Sequence, residues 1–440
     1  MKGETNMIFN LPPILGLLPL VVYIVLAFNK KIHSMVNVTI CILIGMFLTK
    51  TNPLTFGSIM IESLGSFLGK VGLIIMMGSG LGLVLKESGI AENLVYIIVR
   101  KIGVNNMRKA ILASMFSSMV MVLLLSTLTG GNAVIAPILI PLVASVGMTP
   151  STLAIIMQTA GVTGLFISPF SPPMVTIMEL TGMTYGQVLL HASLPICIPM
   201  WIICYWNAMR VNKRLHGVYD YPEGTALDVT DYKATPETKS ATNLFAIVVL
   251  VIVVYGIMTN AGMNNAITVI VGGFLAASFG AKFSAKKSID TFMKGCGQYI
   301  WVFILFLLFD PFLNLIAKSG AYDALVDLLT PLIDSTGKVG LAMLTTLIGV
   351  YGIQGAAVAQ AVMIDQVFRP LVDSIGLSIN VWALVILVGS QMTSFAYPGL
   401  DMIAAVGTAR SDDMKTHIQH GVIITGAALI VTFVFTVLFG

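Results

Sequence analysis

The chain has 440 residues, 57% of them hydrophobic and only 10% charged, with a net charge of +4. Soluble domains carry about 25% charged residues, so the balance argues against a soluble globular protein, and +4 on this length does not ask for nucleic acid. Apolar runs of ~17–20 residues instead describe a polytopic, all-α membrane protein with the lipid bilayer as its partner. The cysteines, Cys41, Cys197, Cys204 and Cys296, show no C-x-x-C spacing and read as small apolar fillers. Lys2 and Glu4 precede no signal-peptide pattern.

In chain order, spans are expected at residues 14–28 and 35–48, then an amphipathic connection over 51–70. A span follows at 71–85, with Gly78, Ser79 and Gly80 in its middle, then an amphipathic stretch over 87–101 and a span at 111–128. The next stretch, from Thr129 to Pro173, is interrupted, and a span at 189–206 closes the first half. Residues 210–239 are rich in Asp, Glu, Lys, Tyr and Pro and carry no apolar run, so they read as a linker. The second half supplies spans at 244–257, 266–279, 299–317, 339–353, 356–372, 381–393 and 422–439. The expected organisation is a first membrane repeat over 1–209, a cytoplasmic linker over 210–240 and a second repeat over 241–440, with about 10–14 membrane segments.

The interrupted stretch opens on Thr129, Gly130, Gly131 and Asn132 and closes on S-P-F-S-P-P at 168–173. Helix breakers at membrane depth are tolerated only inside protein or around a watery cavity. Two interrupted segments at matching places in two halves are the best sequence pointer to a transporter site. A second copy exists: Pro141, Gly147, Phe166, Pro169 and His191 recur as Pro370, Gly376, Phe395, Pro398 and His420, all at 398 − 169 = 229. Upstream, Ser88, Gly89 and Leu94 answer Ser319, Gly320 and Leu325 at 319 − 88 = 231. Positive charge assigns Lys30 and Lys31, the linker with Arg210, Lys213, Arg214, Lys233 and Lys239, and the cluster Lys282, Lys286 and Lys287 to the cytoplasm. Connection 51–70 then falls outside and its counterpart near Lys282 inside, so the halves are expected to be inverted-topology repeats with broken helices or re-entrant hairpins.

Charges inside a span are functional hypotheses by default. Asp310 follows nine apolar residues and precedes Pro311, whose ring frees a carbonyl one turn earlier; the group reads either as a Na⁺ or proton site or as a cap at the membrane surface. Its counterpart, at 310 − 231 = 79, is Ser79, read as a second polar break. Asp365 and Arg369 share a helix face, in a buried or a surface pair. Asp401 answers Pro172 and is a further candidate. Neutral polar residues form the larger group: Thr129, Asn132, Thr163, Ser168 and Ser171 in one half, and Gln354, Gln360, Thr393, Ser394 and Tyr397 in the other, with exposed amides at Gly130, Gly131 and Gly355. Hydroxyls, amides and loose carbonyls suit Na⁺, with Asn132 and Ser394 as candidate ligands, while half-helix N-termini suit a carboxylate. His191 and His420 read as helix caps at interfaces, and Asp412, Asp413 and His417 as a solvated loop face. No Walker-type loop and no hydrolase constellation is present, so neither ATP drive nor an enzyme is expected, and no cofactor beyond Na⁺ or H⁺ as coupling ion.

The segment G-S-G-L-G-L-V-L-K-E-S-G-I-A-E-N-L at 78–94, then T-G-G-N, then G-L-F-I-S-P-F-S-P-P, resembles the ion transporter superfamily, most of all gluconate-type permeases, with citrate permeases and sodium/proton antiporters close behind. In the second half S-G-A-Y-D-A-L at 319–325, G-A-A-V-A at 355–359 and residues 394–399 resemble the corresponding segments. Gluconate permeases carry a histidine- and proline-rich break where this chain has 168–173, a departure that bears on a sugar-acid substrate. The resemblance implies two hairpin-like broken elements meeting at the midplane, and a homodimer in the plasma (inner) membrane. The expected function is ion-coupled secondary transport of a small organic carboxylate by alternating access; the alternative is a Na⁺/H⁺ antiporter without organic substrate.

Overall fold

A computed structural model of the chain describes residues 7–8, 11–27, 32–225, 234–259, 261–352 and 357–440. Within them the protein is built of helices and turns, without strands. The first half runs α1 (Leu18–Ala27), α2 (Ser34–Leu48), α3 (Pro53–Glu62), α4 (Phe67–Glu87), α5 (Ile90–Ile102), α6 (Met107–Leu125), α7 (Leu128–Ala144), α8 (Pro150–Ile167), α9 (Pro172–Thr181), α10 (Tyr185–Val188) and α11 (Leu194–Leu215). The second runs α12 (Pro236–Thr259), α13 (Gly262–Gly280), α14 (Ala285–Lys318), α15 (Ala321–Val350), α16 (Ala357–Ser374), α17 (Ile379–Gln391), α18 (Thr393–Ala396), α19 (Leu400–Thr408) and α20 (Met414–Phe439). Seven described helices are long and apolar enough to cross a membrane, and six shorter apolar helices accompany them. The chain is an all-α, multi-pass integral membrane protein.

Helix starts and stops recur at the spacing read from the sequence. Thr149 and Ser378 occupy the N-cap positions of α8 and α17, and Thr184 and Asp413 those of α10 and α20; both pairs lie 229 apart (378 − 149 and 413 − 184). Left-handed turns pair in the same way: Gly89 (φ 72°) with Gly320 (74°), Gly147 (74°) with Gly376 (63°), and Lys50 (51°) with Lys282 (53°). At Gly147 and Gly376 a helix ends and the chain reverses into α8 or α17, a conformation glycine adopts without a Cβ penalty.

The matched helices α4 and α14 meet at the centre. Gly69 approaches Leu307, Gly72 approaches Phe303 and Phe306, and Gly80 approaches Cys296 and Phe292, so residue numbers fall along α14 as they rise along α4 and the two run antiparallel. The crossing places Gly72 on Phe303, its own counterpart at 303 − 72 = 231; a Cβ at Gly72 would lie 3.1 Å from the Phe303 Cα. Glycine admits that approach without displacing the partner helix. Packing between the halves is reciprocal: α9 lies on α16 and α17, and α19 on α7 and α8. Helices α8 and α17 are sunk in the interior, with Leu153, Ile155, Ile156 and Phe166 matched by Trp382, Leu384, Val385 and Phe395 just beyond α17. Helix α12 and the second half of α20 instead expose Leu250, Val251, Ile430 and Phe433 as lipid-facing surface.

Three local expectations are corrected. Gly78, Ser79 and Gly80 do not break α4, because Ser79 Oγ donates to the Gly295 carbonyl at 3.0 Å and Gly80 admits α14. Pro311 does not interrupt α14, which continues to Lys318. The first break falls at Ser126, left-handed at φ 51°, and Thr127, so that Thr129, Gly130, Gly131 and Asn132 form the first turns of α7 rather than the break itself. Gln354 and Gly355 lie outside the described residues.

Candidate functional site

A cavity of about 250 Å³ opens where the two halves meet. The first half lines it with Ser126, Leu165, Pro172 and Pro173, and the second with Gln391, Thr393, Ser394, Leu400 and Asp401. Ala357 and Val358, at the described start of α16, and Ile75, Val302 and Phe306 from the α4–α14 crossing complete the wall. Counterparts line it together: Ile75 and Phe306 (231 apart), Leu165 and Ser394 (229 apart), and Pro172 and Asp401 (229 apart).

The electrostatics follow from the breaks. Helices α7, α9 and α19 begin at or beside the wall, and so does the described part of α16. The first turns of a helix present unpaired N–H groups and a partial positive charge. The α7 and α19 termini carry no side-chain cap, which leaves those donors available, whereas Ser171 caps α9 by accepting from Met174 N–H at 3.4 Å. The one ionisable lining group is Asp401, in the first turn of α19, and no ion pair among the described residues involves it. The Ser126 hydroxyl likewise finds no partner among them.

The remaining sequence candidates lie around this wall. Thr393 and Ser394 are on it; Ser394 Oγ donates to the Gln391 carbonyl at 2.8 Å. Asn132 is sealed in the seam of α6, α7 and α8, where Ser118 Oγ donates to its carbonyl at 2.7 Å and its amide donates to the Met157 carbonyl at 2.9 Å. Gly131 packs on the backbone of Val122, and Thr129 is exposed beside Gly130. Ser168 is buried without a described partner for its hydroxyl, and Ser171 Oγ also donates to the Leu165 carbonyl. Thr163 Oγ1 accepts from Trp201 Nε1 at 2.8 Å. Gln360 ties α15 to α17 by donating to the Gly349 and Gly389 carbonyls at 2.6 and 2.7 Å, and Tyr397 donates to the Gly352 carbonyl. Asp310 is bound by the Asn314 amide at 3.2 Å and faces Ser66 and Glu62 near the α3–α4 junction, off the cavity wall. Asp365 takes the Trp382 indole N–H at 2.7 Å and lies 3.5 Å from Arg369, a part-buried pair. Arg369 reaches on to the Leu180 carbonyl of α9 at 3.4 Å.

Behind the wall lies a polar chain that sequence reading missed. Gln158, in the middle of α8, donates to the Ser394 carbonyl at 2.6 Å, and its own carbonyl oxygen meets His417 Nε2. His417 is therefore buried, not on a solvated loop face; α20 begins at Met414 and carries it inward. One turn on, His420 joins Thr159 at 2.6 Å and Asn207 at 2.7 Å, while its counterpart His191 is half-buried and, among the described residues, bonds the Gln187 carbonyl of its own helix at 2.9 Å. A glutamine in an otherwise apolar run was the signal for Gln158; Gln391, three residues before Ser394, was the signal for the lower wall.

No protein-family model and no curated protein sequence matches the chain. Solved structures share its fold, two transport proteins among them. The YdaH transporter of Alcanivorax borkumensis, reported with an unusual topology, superimposes with a TM-score of 0.57 at 14% identity, covering 89% of this chain and 90% of its own. MtrF of Neisseria gonorrhoeae, described within a class of antimetabolite efflux pumps, gives a TM-score of 0.60 at 12% identity, covering 97% and 94%. At such identities the likeness is one of fold: this chain has the architecture seen in two membrane transport proteins.

Proposed function

We propose that the protein is an ion-coupled secondary transporter of a small organic carboxylate, with its site in the cavity between two inverted repeats. The observation that carries the proposal is the convergence of helix N-termini from both halves on one cavity whose wall holds a single carboxylate. N-terminal dipoles and free N–H groups stabilise an anion without any Lys or Arg on the wall. Asp401 supplies the coupling-ion function by taking a proton or, with the oxygens of Thr393 and Ser394, a Na⁺. The antiparallel crossing of matched helices supports inversion. A two-fold relating antiparallel partners runs across them, hence in the membrane plane, and alternating access moves the halves about it. The transport proteins that share the fold support the class of activity, and the efflux description of one makes export as compatible as uptake.

The test is transport by purified protein in liposomes, using a panel of labelled mono- and dicarboxylates under imposed H⁺ or Na⁺ gradients. Asp401→Asn is expected to abolish gradient-driven accumulation while retaining substrate exchange; loss of a charged partner weakens ion binding by up to about 3 kcal/mol, about a hundredfold. Unaltered ion dependence in that variant returns Asp401 to a structural role. An unpaired carboxylate in the cavity equally favours a second reading, a Na⁺/H⁺ antiporter. Na⁺-driven alkalinisation of vesicles with no carboxylate present would select it.

A further inference from the structure

We infer that the groove between α11 and α20, which shares no lining residue with the central cavity, is a binding site for a phosphate-bearing anion. It encloses a cavity of about 340 Å³. Arg210 and Arg214, one turn apart on α11, reach it from one side, and its floor is polar, made by the buried Asn207, Thr416 and His420. Neither arginine forms an ion pair among the described residues. Arg214 is held by neutral groups, donating to Thr416 Oγ1 at 2.8 Å and Gln419 Oε1 at 3.4 Å, which leaves most of its five N–H donors for a ligand. Arg210 lies over the Trp206 ring at 5.5 Å, with its polar edge unbound. Asp413 feels the Arg214 charge without forming an ion pair with it, and accepts from Thr416 N–H at 3.0 Å and from Ser151 Oγ at 3.3 Å.

Bias of positive charge toward one membrane face explains arginines at a helix end. It does not explain two guanidiniums that form no ion pair among the described residues above a built polar floor. Planar guanidinium forks match phosphate oxygens bidentately. The flank settles the setting: Ile202, Trp206 and Ile423 are exposed apolar groups directly beside the arginines, so the groove sits where the lipid-facing belt gives way to the polar face. Tryptophan marks that level in membrane proteins, and basic pockets between spans hold lipid phosphates there. The same chemistry accepts free phosphate. At the repeat spacing Arg210 answers Phe439 (439 − 210 = 229), so the pseudo-symmetry of the fold does not require an arginine there.

The full chain in detergent is heated with mixed micelles of phosphatidylglycerol, with micelles of phosphatidylcholine plus inorganic phosphate, and with phosphatidylcholine in chloride at equal ionic strength. Phosphatidylglycerol, inorganic phosphate or both are expected to raise the unfolding temperature over the third condition, and which of them does so identifies the source. Arg210→Gln/Arg214→Gln is expected to lose the rise, with affinity falling about fivefold per arginine, while Lys213→Gln, a cation on the same turn that does not line the groove, keeps it. If the double variant does not fold, Arg210→Gln alone gives the reading, since its guanidinium makes no hydrogen bond among the described residues. No rise with either anion, or an equal rise in the arginine variants, overturns the site.

Discussion

Gln158 shows how one side chain joins the cavity to the scaffold. Its amide donates to the Ser394 carbonyl on the wall, and its carbonyl engages His417 on α20. Gln158→Leu leaves both without a partner, and each buried unsatisfied group costs about 1–3 kcal/mol. The variant is therefore expected to unfold at lower temperature and, because Ser394 loses its tether, to bind substrate more weakly. Thr159→Val, which removes the neighbouring bond to His420 but nothing on the wall, is expected to lower stability while leaving substrate affinity unchanged. Thermal unfolding and equilibrium binding on both variants check the distinction; equal binding loss in the two would mean that the wall senses general loosening. At this scale the sequence was readable where a charge or a run of hydroxyls stood in apolar surroundings, as at Asp401, Thr393 and Ser394. It was opaque for Gln158 and His417, because their roles depend on partners more than 230 residues away.

At the scale of the element, close approach is carried by glycine. Gly164 on α8 lies against the backbone of α6, where a Cβ would overlap the Met119 carbonyl oxygen and stand 2.9 Å from Leu123 N. Backbone cannot yield as a side-chain tip can, so Gly164→Ala is expected to destabilise by about 1–3 kcal/mol or more. Gly57, inside α3 with nothing near its Cβ position, gives the opposite sign: Gly57→Ala should stabilise by about 0.5–1 kcal/mol. A denaturation series in one detergent measures both. The breaks themselves were legible to within a few residues. The second pair, at 168–173 and 392–399, lies where proline and serine announce it, but the first is set by Ser126 rather than by the glycines that follow. Gly130 and Gly131 looked like a break because glycine disfavours helices; packing of Gly131 on Val122 reverses that preference.

For the whole molecule, the orientation of the halves is the quantity to test. Lys50 and Lys282 occupy matched left-handed turns, 282 − 50 = 232, and both are exposed. On the inverted arrangement, a single cysteine at Lys50 is labelled by a membrane-impermeant maleimide from outside intact cells, and one at Lys282 only after the membrane is opened. Labelling of both from the same side would mean parallel repeats. The duplication was legible because prolines, glycines and a histidine kept their spacing. The crossing was not, since Gly72 and Phe303 share a position without sharing any chemistry.

That mismatch at the crossing bears on the energetics of the working cycle. If a carrier opens to the other side by letting its halves exchange conformations, identical halves would make its two end states degenerate. Here glycine meets phenylalanine on the axis, and proline shares the cavity wall with aspartate. Such an exchange would move a ring and a carboxylate into environments that hydrogen and a pyrrolidine occupied before. A difference of only about 1.4 kcal/mol divides the two populations tenfold. On the proposed cycle, an empty carrier of this build would have a resting side set by the differences between its halves, and cargo on the disfavoured side would meet a binding-competent form only as often as that imbalance allows.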